Sequence, residues 1–398
     1  MASPAGSRPR LLTRSFALVA GITLLTFFAA FQLFPTVPLQ LRRLGASLGQ
    51  SGRFMTAFTA GSSLGALVTG PLGDRMGQRR TAAVGAAGFG LLLAACGFLT
   101  APWAFYLLAC PLGVVWSGLL TATASSLGQV LPPERRADGL SLYGLASPMG
   151  VVFGPTVGLA VFQRWGFAPM AWSLALVFGV LGLLALSLPP APPRPPQRQA
   201  SLGFPDRSML APAGVLLATA LGYGALNTYS AQEALAKGFQ PVLGVPTGSA
   251  FLSCMALGMV GMRVLMAAVG FGRSPARLLP GMLWTTVAGL GLLAFLPGGV
   301  PRHVLAALVY GAGYSMVHTL VNAHVLETAP PSRRGAAFGA TLFAFDSGIG
   351  IGALALGALI GWACGRYGPA GYRLGWAVAM VLALAALPPA CRMAHKEP

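Results

Sequence analysis

The chain contains one short pattern twice, first as Pro132-Pro133-Glu134-Arg135-Arg136 and again, 198 residues later, as Pro330-Pro331-Ser332-Arg333-Arg334. Aligned without a gap, residues 132–158 and 330–356 are identical at seven positions, which include the pairs Gly150/Gly348 and Gly154/Gly352. The offset is almost half of the 398 residues. Internal repeats of this size are found in many membrane transporters. The pattern therefore predicts a chain built from two parallel copies of one unit.

The composition is that of a membrane protein. Hydrophobic residues make up 55% of the chain, charged residues make up 9%, and the mean hydropathy is +0.71. Soluble domains carry about 25% charged residues on average, and a soluble fold of this size could not cover its surface with so few. The sequence has no P-loop, no metal-ligand cluster and no nucleophile elbow, so we predict no enzyme activity, no cofactor and no metal.

Apolar windows of about 20 residues, each long enough to cross roughly 30 Å of hydrocarbon, follow one another along the chain. We predict twelve transmembrane helices, at residues 15–37, 52–72, 81–100, 103–130, 138–163, 167–188, 211–231, 248–270, 278–297, 303–326, 335–362 and 374–391. The predicted fold is an all-α polytopic membrane protein with two pseudo-symmetric six-helix bundles, at 15–188 and 211–391. A proline-rich linker at 189–210 separates the bundles, and short tails lie at 1–14 and 392–398.

The basic residues predict the orientation of the chain. With the N-terminus inside, the inner segments carry 17 Arg or Lys residues, and the outer loops and helix ends carry 8. Cytoplasmic loops are enriched in these residues, so we expect a multi-pass protein of the cell membrane with both termini in the cytoplasm. The outer pair Arg42-Arg43 departs from this rule. The net charge of +18 is spread in pairs and triplets between apolar runs, so the predicted partner is the lipid bilayer and not nucleic acid.

The segment at 70–80 has an ordered pattern of glycines and charges. Glycines permit a tight reversal of the chain and the basic residues hold it on the cytoplasmic side. The pattern resembles the signature loop G-x-L-a-D-r-x-G-r-k of the major facilitator superfamily, and the helix count, the linker and the two halves agree with that family over essentially the whole chain. The residues that carry the resemblance are Gly70, Asp74, Arg75, Gly77, Arg79 and Arg80.

The resemblance implies a role for Asp74. In that family the acid of this loop is thought to face the N-terminal end of helix eleven, here near Gly335, and to help lock the outward-facing state. A carboxylate is favoured at such a helix end by the helix dipole. The corresponding position of the second half is Gly272, so only the first half keeps the proposed lock.

The fifth predicted helix contains a second pattern, Gly150-x-x-x-Gly154-Pro155-x-x-Gly158. Glycines four residues apart share one helix face and permit close packing, while a proline bends the helix. Helix packing alone would account for the pattern. It also resembles the antiporter motif of the same superfamily, with Leu159 in place of the final glycine, and this resemblance favours an exporter of the twelve-helix drug or solute:proton antiporter branch.

Asp346 is the only acid of the sequence that the windows place clearly within a span. It lies eleven residues after Gly335, roughly 16 Å along a helix and near the bilayer centre. A charge there costs at least about 2–3 kcal/mol, so we expect Asp346 to bind a proton or substrate, or else to be a neutral packing residue. Arg263 is the candidate counter-ion, unless it reaches to the inner surface, and His318 is a second titratable candidate.

Seven further polar or aromatic residues fall on predicted helices one, four, seven and ten, which line the cavity in the resembling family. Each of them alone is as well explained by packing. Together they would suit an amphiphilic solute. They are Gln32, Trp116, Tyr223, Asn227, Tyr229, Tyr310 and Tyr314.

The predicted function is secondary active transport by alternating access, with efflux of a small amphiphilic or organic solute in exchange for protons. We expect the protein to act as a monomer. An importer of a sugar or carboxylate is the alternative within transport, and a receptor that binds ligand without flux is the alternative of another class. A channel is disfavoured because no ring of like charges and no repeated filter sequence is present.

Overall fold

The fold is described from a computed structural model of the chain. The described residues are 12–132, 135, 139, 142–188, 209–242, 244, 246–269, 275–328 and 334–395. Within these ranges the chain is all-helical, and twelve helices of 14 or more residues follow one another. They are α1 Arg14–Arg43, α2 Arg53–Met76, α3 Gln78–Cys96, α4 Pro102–Val130, α5 Ala146–Trp165, α6 Phe167–Ala185, α7 Leu210–Ala236, α8 Thr247–Val269, α9 Leu279–Ala294, α10 Val300–Thr328, α11 Arg334–Tyr367 and α12 Tyr372–Ala385.

The helices are apolar enough to cross a membrane repeatedly. Among the described residues, eight runs meet the requirements of length and apolarity for a span by themselves, and one of these runs, Ala340–His395, contains most of α11 and all of α12. The apolar helix α9 is shorter, with 16 residues. The remaining two, α2 and α3, carry basic residues where they meet around Gly77.

Successive helices alternate in direction, so their ends form two sides of the bundle. We call the side where α1 begins and α6 ends the linker side, and the side where α1 ends at Arg43 the far side. The short helix Leu48–Ser51 lies on the far side between α1 and α2.

The sequence repeat corresponds to a repeat in packing. Helix α5 packs on α1, and a Cβ added at Gly150 would lie 2.5 Å from the Leu24 carbonyl oxygen. Helix α11 packs on α7 in the same way, and a Cβ at Gly348 would lie 2.6 Å from the Leu217 carbonyl oxygen. A contact this close excludes every side chain. The paired glycines therefore hold equivalent helix pairs together in the two halves, as predicted from the repeat.

Two seams join the halves. In the first seam, between α2 and α11, the Thr56 hydroxyl donates to the Gly350 carbonyl over 2.7 Å. In the second, between α5 and α8, the hydroxyls of Thr156 and Ser253 lie 2.7 Å apart. Helices attract one another weakly in lipid, where apolar burial is not a driving force, so small residues and hydroxyl groups supply the adhesion.

Several predicted boundaries were wrong, and prolines and glycines explain why. Helix α1 continues to Arg43 with Pro35 and Pro38 inside it, because neighbouring helices support a proline-containing helix in a membrane. The predicted helix at 374–391 ends at Ala385, and a separate helix, α13 (Leu387–His395), carries the adjacent prolines in its first turn, where a missing N–H is tolerated.

The predicted loop at 70–80 is also mostly helical. Helix α2 extends to Met76 and α3 begins at Gln78, so the reversal occurs at Gly77 alone, with φ of +86°. Gly166 makes the same kind of connection between α5 and α6, with φ of +85°. Only glycine adopts such backbone angles without strain.

The close helix contacts predict that an added methyl group destabilises the protein where a glycine touches a neighbouring helix and not where it touches nothing. We expect Gly150→Ala and Gly348→Ala each to destabilise the protein by about 1–3 kcal/mol, since overpacking displaces a neighbouring backbone. Thermal unfolding of the purified protein in detergent would measure this.

Gly179 in α6 and Gly281 in α9 are the matched controls, because a Cβ at either meets no atom within 4 Å. Gly179→Ala and Gly281→Ala should leave the midpoint unchanged or raise it slightly. Equal destabilisation of all four variants would contradict the assignment of the glycine contacts.

Candidate transport cavity

A cavity of about 230 Å³ lies between the two halves, at the level of the middle of the long helices. Helices α1, α2 and α4 of the first half and α7 and α11 of the second contribute its walls. Seven aromatic side chains are among its described lining residues: Phe27, Phe31, Phe34, Phe58, Trp116, Tyr223 and Phe345. We call this space the central cavity.

The aromatic wall of the first half is fixed by contacts among its own rings. Trp116 meets Phe27 edge-on with 5.4 Å between ring centroids, and Phe34 meets Phe58 in the same way at 5.6 Å. Edge-to-face pairs of this kind contribute about 0.5–1.5 kcal/mol beyond their burial. The wall is therefore a preformed apolar surface, and Trp116 is one of the residues that form it.

Asp346 reaches the central cavity from α11. The Ser62 hydroxyl of α2 donates to its Oδ2 over 3.1 Å, so the carboxylate bridges the two halves within the α2–α11 seam. Among the described lining residues it is the one titratable acid, and none is Arg, Lys or His. Its polar neighbours on the wall are Thr59, Ser62, Ser117, Thr121 and Asn227.

Asn227 offers an unused hydrogen-bond acceptor to the cavity. Its amide nitrogen donates to the Tyr223 carbonyl over 2.9 Å, and its Oδ1 is buried without a partner among the described residues. Buried polar atoms are usually hydrogen-bonded, so an acceptor left free on a cavity wall is a candidate contact for a ligand.

Three tyrosines of the second half form a stack that begins at the cavity. The rings of Tyr223 and Tyr314 lie 4.6 Å apart, those of Tyr314 and Tyr310 lie 5.4 Å apart, and both interplanar angles are 14°. Only Tyr223 of the three is among the lining residues. Tyr310 and Tyr314 therefore support it from behind and are not part of the described wall.

Arg263 does not pair with Asp346 in the described structure. Its guanidinium donates from Nη1 to the Gly144 carbonyl over 3.2 Å and from Nη2 to the Ser315 carbonyl over 3.4 Å. Gly144 belongs to the first half and Ser315 to the second, so Arg263 ties the halves together near the linker-side end of α8.

The other three predicted residues lie behind the wall. The His318 ring is within 3.2 Å of the Asn322 amide nitrogen and packs on Phe345 at 4.7 Å. Gln32 is buried against Gly158 of α5. Tyr229 donates from its hydroxyl to the Ala353 carbonyl over 2.7 Å. It lies between the central cavity and the far side of the bundle.

A packed layer closes the central cavity toward the far side. Tyr229 of α7 covers Gly357 of α11, and a Cβ at Gly49 would lie 3.2 Å from the Cα of Ala358. Beyond this layer a second space of about 1130 Å³, the far-side cavity, lies between the ends of α1, α5, α7 and α11. This packed layer therefore separates the two cavities.

The sequence of the chain matches a family model described as Major Facilitator Superfamily over residues 19–353. The chain belongs to this superfamily. It is thus a secondary transporter, a non-enzymatic carrier that crosses the membrane several times.

Individual relatives agree with the family. The chain is 24% identical over 324 residues to the uncharacterized MFS-type transporter YqjV of Bacillus subtilis (strain 168), covering 75% of both chains. It is 38% identical over 82 residues to Autophagy-related protein 22 of Gibberella zeae, which is 20% of this chain and spans 12% of that protein. The solved structure of the nucleoside transporter NupG superposes with a TM-score of 0.76 at 15% identity, over 97% of this chain and 100% of that one, which shows the fold.

The structure describes the glycine pattern of α5 more fully than the motif at residues 70–80. Gly150, Gly154 and Gly158 all face α1, so helix packing accounts for the pattern in α5, with Pro155 inside the helix. Around Gly77, the side chains of Arg75, Arg79 and Arg80 are exposed. Gly70 and Gly335 lie within α2 and α11, but their surroundings and the side chain of Asp74 lie outside what the structure describes, so the lock stays a prediction.

The sequence reasoning missed a buried acid, Glu233 of α7. Its carboxylate is fully buried, pairs with Lys237 one turn on, and accepts a hydrogen bond of 2.8 Å from the indole nitrogen of Trp376. The predicted window ended at 231, whereas α7 runs to Ala236, so Asp346 is not the only acid within a helix. The i, i+4 spacing of Glu233 and Lys237 was the available signal.

This ion pair predicts strong non-additivity between its two residues. Lys237→Leu should destabilise the transporter by about 2–4 kcal/mol, because it leaves a buried carboxylate without its cation. The double variant Glu233→Leu/Lys237→Leu should recover much of that loss, since replacing a buried pair by apolar groups is often neutral. A double-mutant cycle on thermal unfolding would measure it, and additive losses would rule out the pairing.

Proposed function

We propose that the chain exports a small amphiphilic organic solute by alternating access, in exchange for protons, with Asp346 as the proton-binding group. The observation that carries the proposal is the position of Asp346, which touches both the solute space and the other half of the protein through Ser62. A single chain contains all the described walls of the central cavity, so the proposed unit is a monomer.

The lining of the central cavity supports the proposed solute class. Apolar rings form most of the wall, and a few groups with hydrogen-bonding capacity, chiefly Asn227, Ser62 and Asp346, lie on it. Ligand sites of this kind bind an apolar body and orient it by a small number of polar contacts. A sugar would present hydroxyl groups on every side, and aromatic rings would leave most of them unpaired.

The hydrogen bond between Ser62 and Asp346 suggests how proton binding is linked to movement. A hydroxyl donates a stronger hydrogen bond to a carboxylate than to a neutral carboxyl group. Proton uptake by Asp346 would therefore weaken one contact of the α2–α11 seam, and proton release would restore it. The proton and the solute use the same group in turn, which is what exchange requires.

The proposed direction is taken from the sequence resemblance and not from the packed layer, because exporters and importers both pass through a state that is closed on one side. Thr56, Ser62 and the short helix Leu48–Ser51 hold α11 on the far-side half of the seam. With both termini in the cytoplasm, as proposed from the basic residues, the packed layer lies on the outer side of the central cavity. The drug or solute:proton antiporter branch is proposed from the pattern Gly150, Gly154, Pro155 and Gly158, which resembles the antiporter motif.

Asp346→Asn provides the main test. We expect the variant to lose pH-gradient-driven transport in inside-out membrane vesicles and to retain solute exchange without a gradient, because the amide keeps the shape of the acid but cannot bind and release a proton. Size-exclusion profiles and thermal unfolding should match those of the wild type. Gradient-driven transport at the wild-type rate would disprove the assignment.

The same vesicles separate export from import. An exporter accumulates solute inside inverted vesicles when their lumen is acidic, and an importer under the same gradient does not. Accumulation only in right-side-out vesicles would favour the alternative, an importer of a sugar or carboxylate. Binding of solute without any flux would favour a receptor.

Ser62→Ala tests the link between the proton and the seam. We expect a change in the pH dependence of transport with little change in stability, since the contact to Asp346 is lost while the cavity stays intact. Ser63→Ala is the matched control, because the Ser63 hydroxyl is buried without a hydrogen-bond partner among the described residues. Identical pH profiles for Ser62→Ala and Ser63→Ala would contradict the proposed link.

A further inference from the structure

The far side of the bundle is strongly basic. The helix ends and connections there carry eight Arg or Lys residues: Arg42, Arg43, Arg53, Arg164, Lys237, Arg302, Arg366 and Arg373. Glu233 is the acid described on this side, and it is fully buried and already paired with Lys237. The linker-side segments carry more basic residues, 17, as the preference for cytoplasmic Arg and Lys requires, so the eight far-side residues are a minority that orientation does not explain.

Three of these arginines meet in one place. Arg42 at the end of α1, its neighbour Arg43, and Arg53 at the start of α2 all line the far-side cavity of about 1130 Å³. No Asp or Glu is among the described residues of its wall. A concave space lined by charges of one sign concentrates the field and attracts counter-ions.

Two of the guanidinium groups are held in place by the protein. Arg42 donates from Nη1 to the Ala46 carbonyl over 2.8 Å. Arg43 lies over the ring of Phe162, with its Cζ 4.1 Å from the ring centroid. A guanidinium has five N–H donors, so each group keeps donors free after these contacts. Neither contact neutralises the positive charge.

The rest of the wall combines amides with apolar surface. Gln50, Gln163 and Gln232 contribute side-chain amides, and Leu48 and Trp362 contribute apolar contacts. Fixed arginines beside apolar surface would suit a ligand with an anionic end and an apolar body. Arginine binds carboxylate, sulfonate and phosphate oxygens in pairs, which gives affinity and orientation.

We propose that the far-side cavity is a binding site for an oxyanion carried on an apolar body, held by Arg42, Arg43 and Arg53. The oxyanion belongs either to a solute of the surrounding water or to the headgroup of an anionic phospholipid, and both present the same oxygens to the arginines. The site is separated from Asp346 by the packed layer around Tyr229 and Gly357. Binding of a ligand there can therefore be measured without the proposed export or the proton coupling.

The test uses the full chain in nanodiscs of neutral phosphatidylcholine, with naphthalene-2-sulfonate as the probe and calorimetry as the measurement. We expect the triple variant Arg42→Gln/Arg43→Gln/Arg53→Gln to bind the probe at least about tenfold more weakly than the wild type. Binding to the wild type should also weaken between about 50 and 500 mM salt, because charge attraction is screened.

Arg164→Gln is the matched control. Arg164 is an exposed far-side arginine that stacks on Trp165 at 5.3 Å and is not among the described residues of the cavity wall. We expect it to bind the probe as the wild type does. The exposed Arg42, Arg43 and Arg53 should be replaceable without loss of folding, which thermal unfolding checks, and the three single variants replace the triple variant if it unfolds.

A second arm distinguishes the two sources of the anion. Nanodiscs that contain phosphatidylglycerol are analysed by native mass spectrometry for lipid retained on the released protein, with naphthalene-2-sulfonate as competitor. Retained lipid that the triple variant loses identifies a headgroup site, and probe binding unaffected by the lipid identifies a solute site. Equal binding of probe and lipid by wild type, triple variant and Arg164→Gln would overturn the proposal.

Discussion

The contact of helix backbone with helix backbone is the constraint on which the rest of this structure depends. Within lipid, apolar side chains gain nothing by leaving the solvent, so helices adhere where small residues let their backbones meet. Gly150 provides such a contact between α5 and α1, and Gly348 provides it between α11 and α7. The second of these contacts sets the position of α11. Helix α11 in turn contributes Asp346, one side of the α2–α11 seam and part of the wall of the central cavity.

The comparison of sequence and structure shows where pattern is informative in a membrane protein. Apolar length predicted twelve helices, and the 198-residue offset predicted which of them are equivalent, because both depend on features that repeat along the chain. Helix ends were predicted less well. Pro35 and Pro38 did not end α1, and the window that stopped at 231 left Glu233 outside α7.

Contacts between distant residues were beyond the reach of periodicity. Asp346, Trp116, Tyr223 and Asn227 come together at the central cavity, but the partner of Asp346 is Ser62, a serine in a helix rich in small residues. Arg263 and His318 lie on suitable helices and make other contacts. Whether such a residue faces the central cavity depends on a rotation of a few tens of degrees of its helix about the helix axis. The composition of the chain does not specify this rotation.

The one-residue connections at Gly77 and Gly166 have a mechanical consequence. Each joins a seam helix of the first half, α2 or α5, to the next helix with no slack between them. When α2 or α5 tilts against the second half, the one-residue connection makes α3 or α6 move with it. At the place equivalent to Gly166 in the second half, between α11 and α12, the structure has a 3-10 turn at Gly368–Gly371. A tilt of α5 would therefore pass to α6 more directly than a tilt of α11 passes to α12.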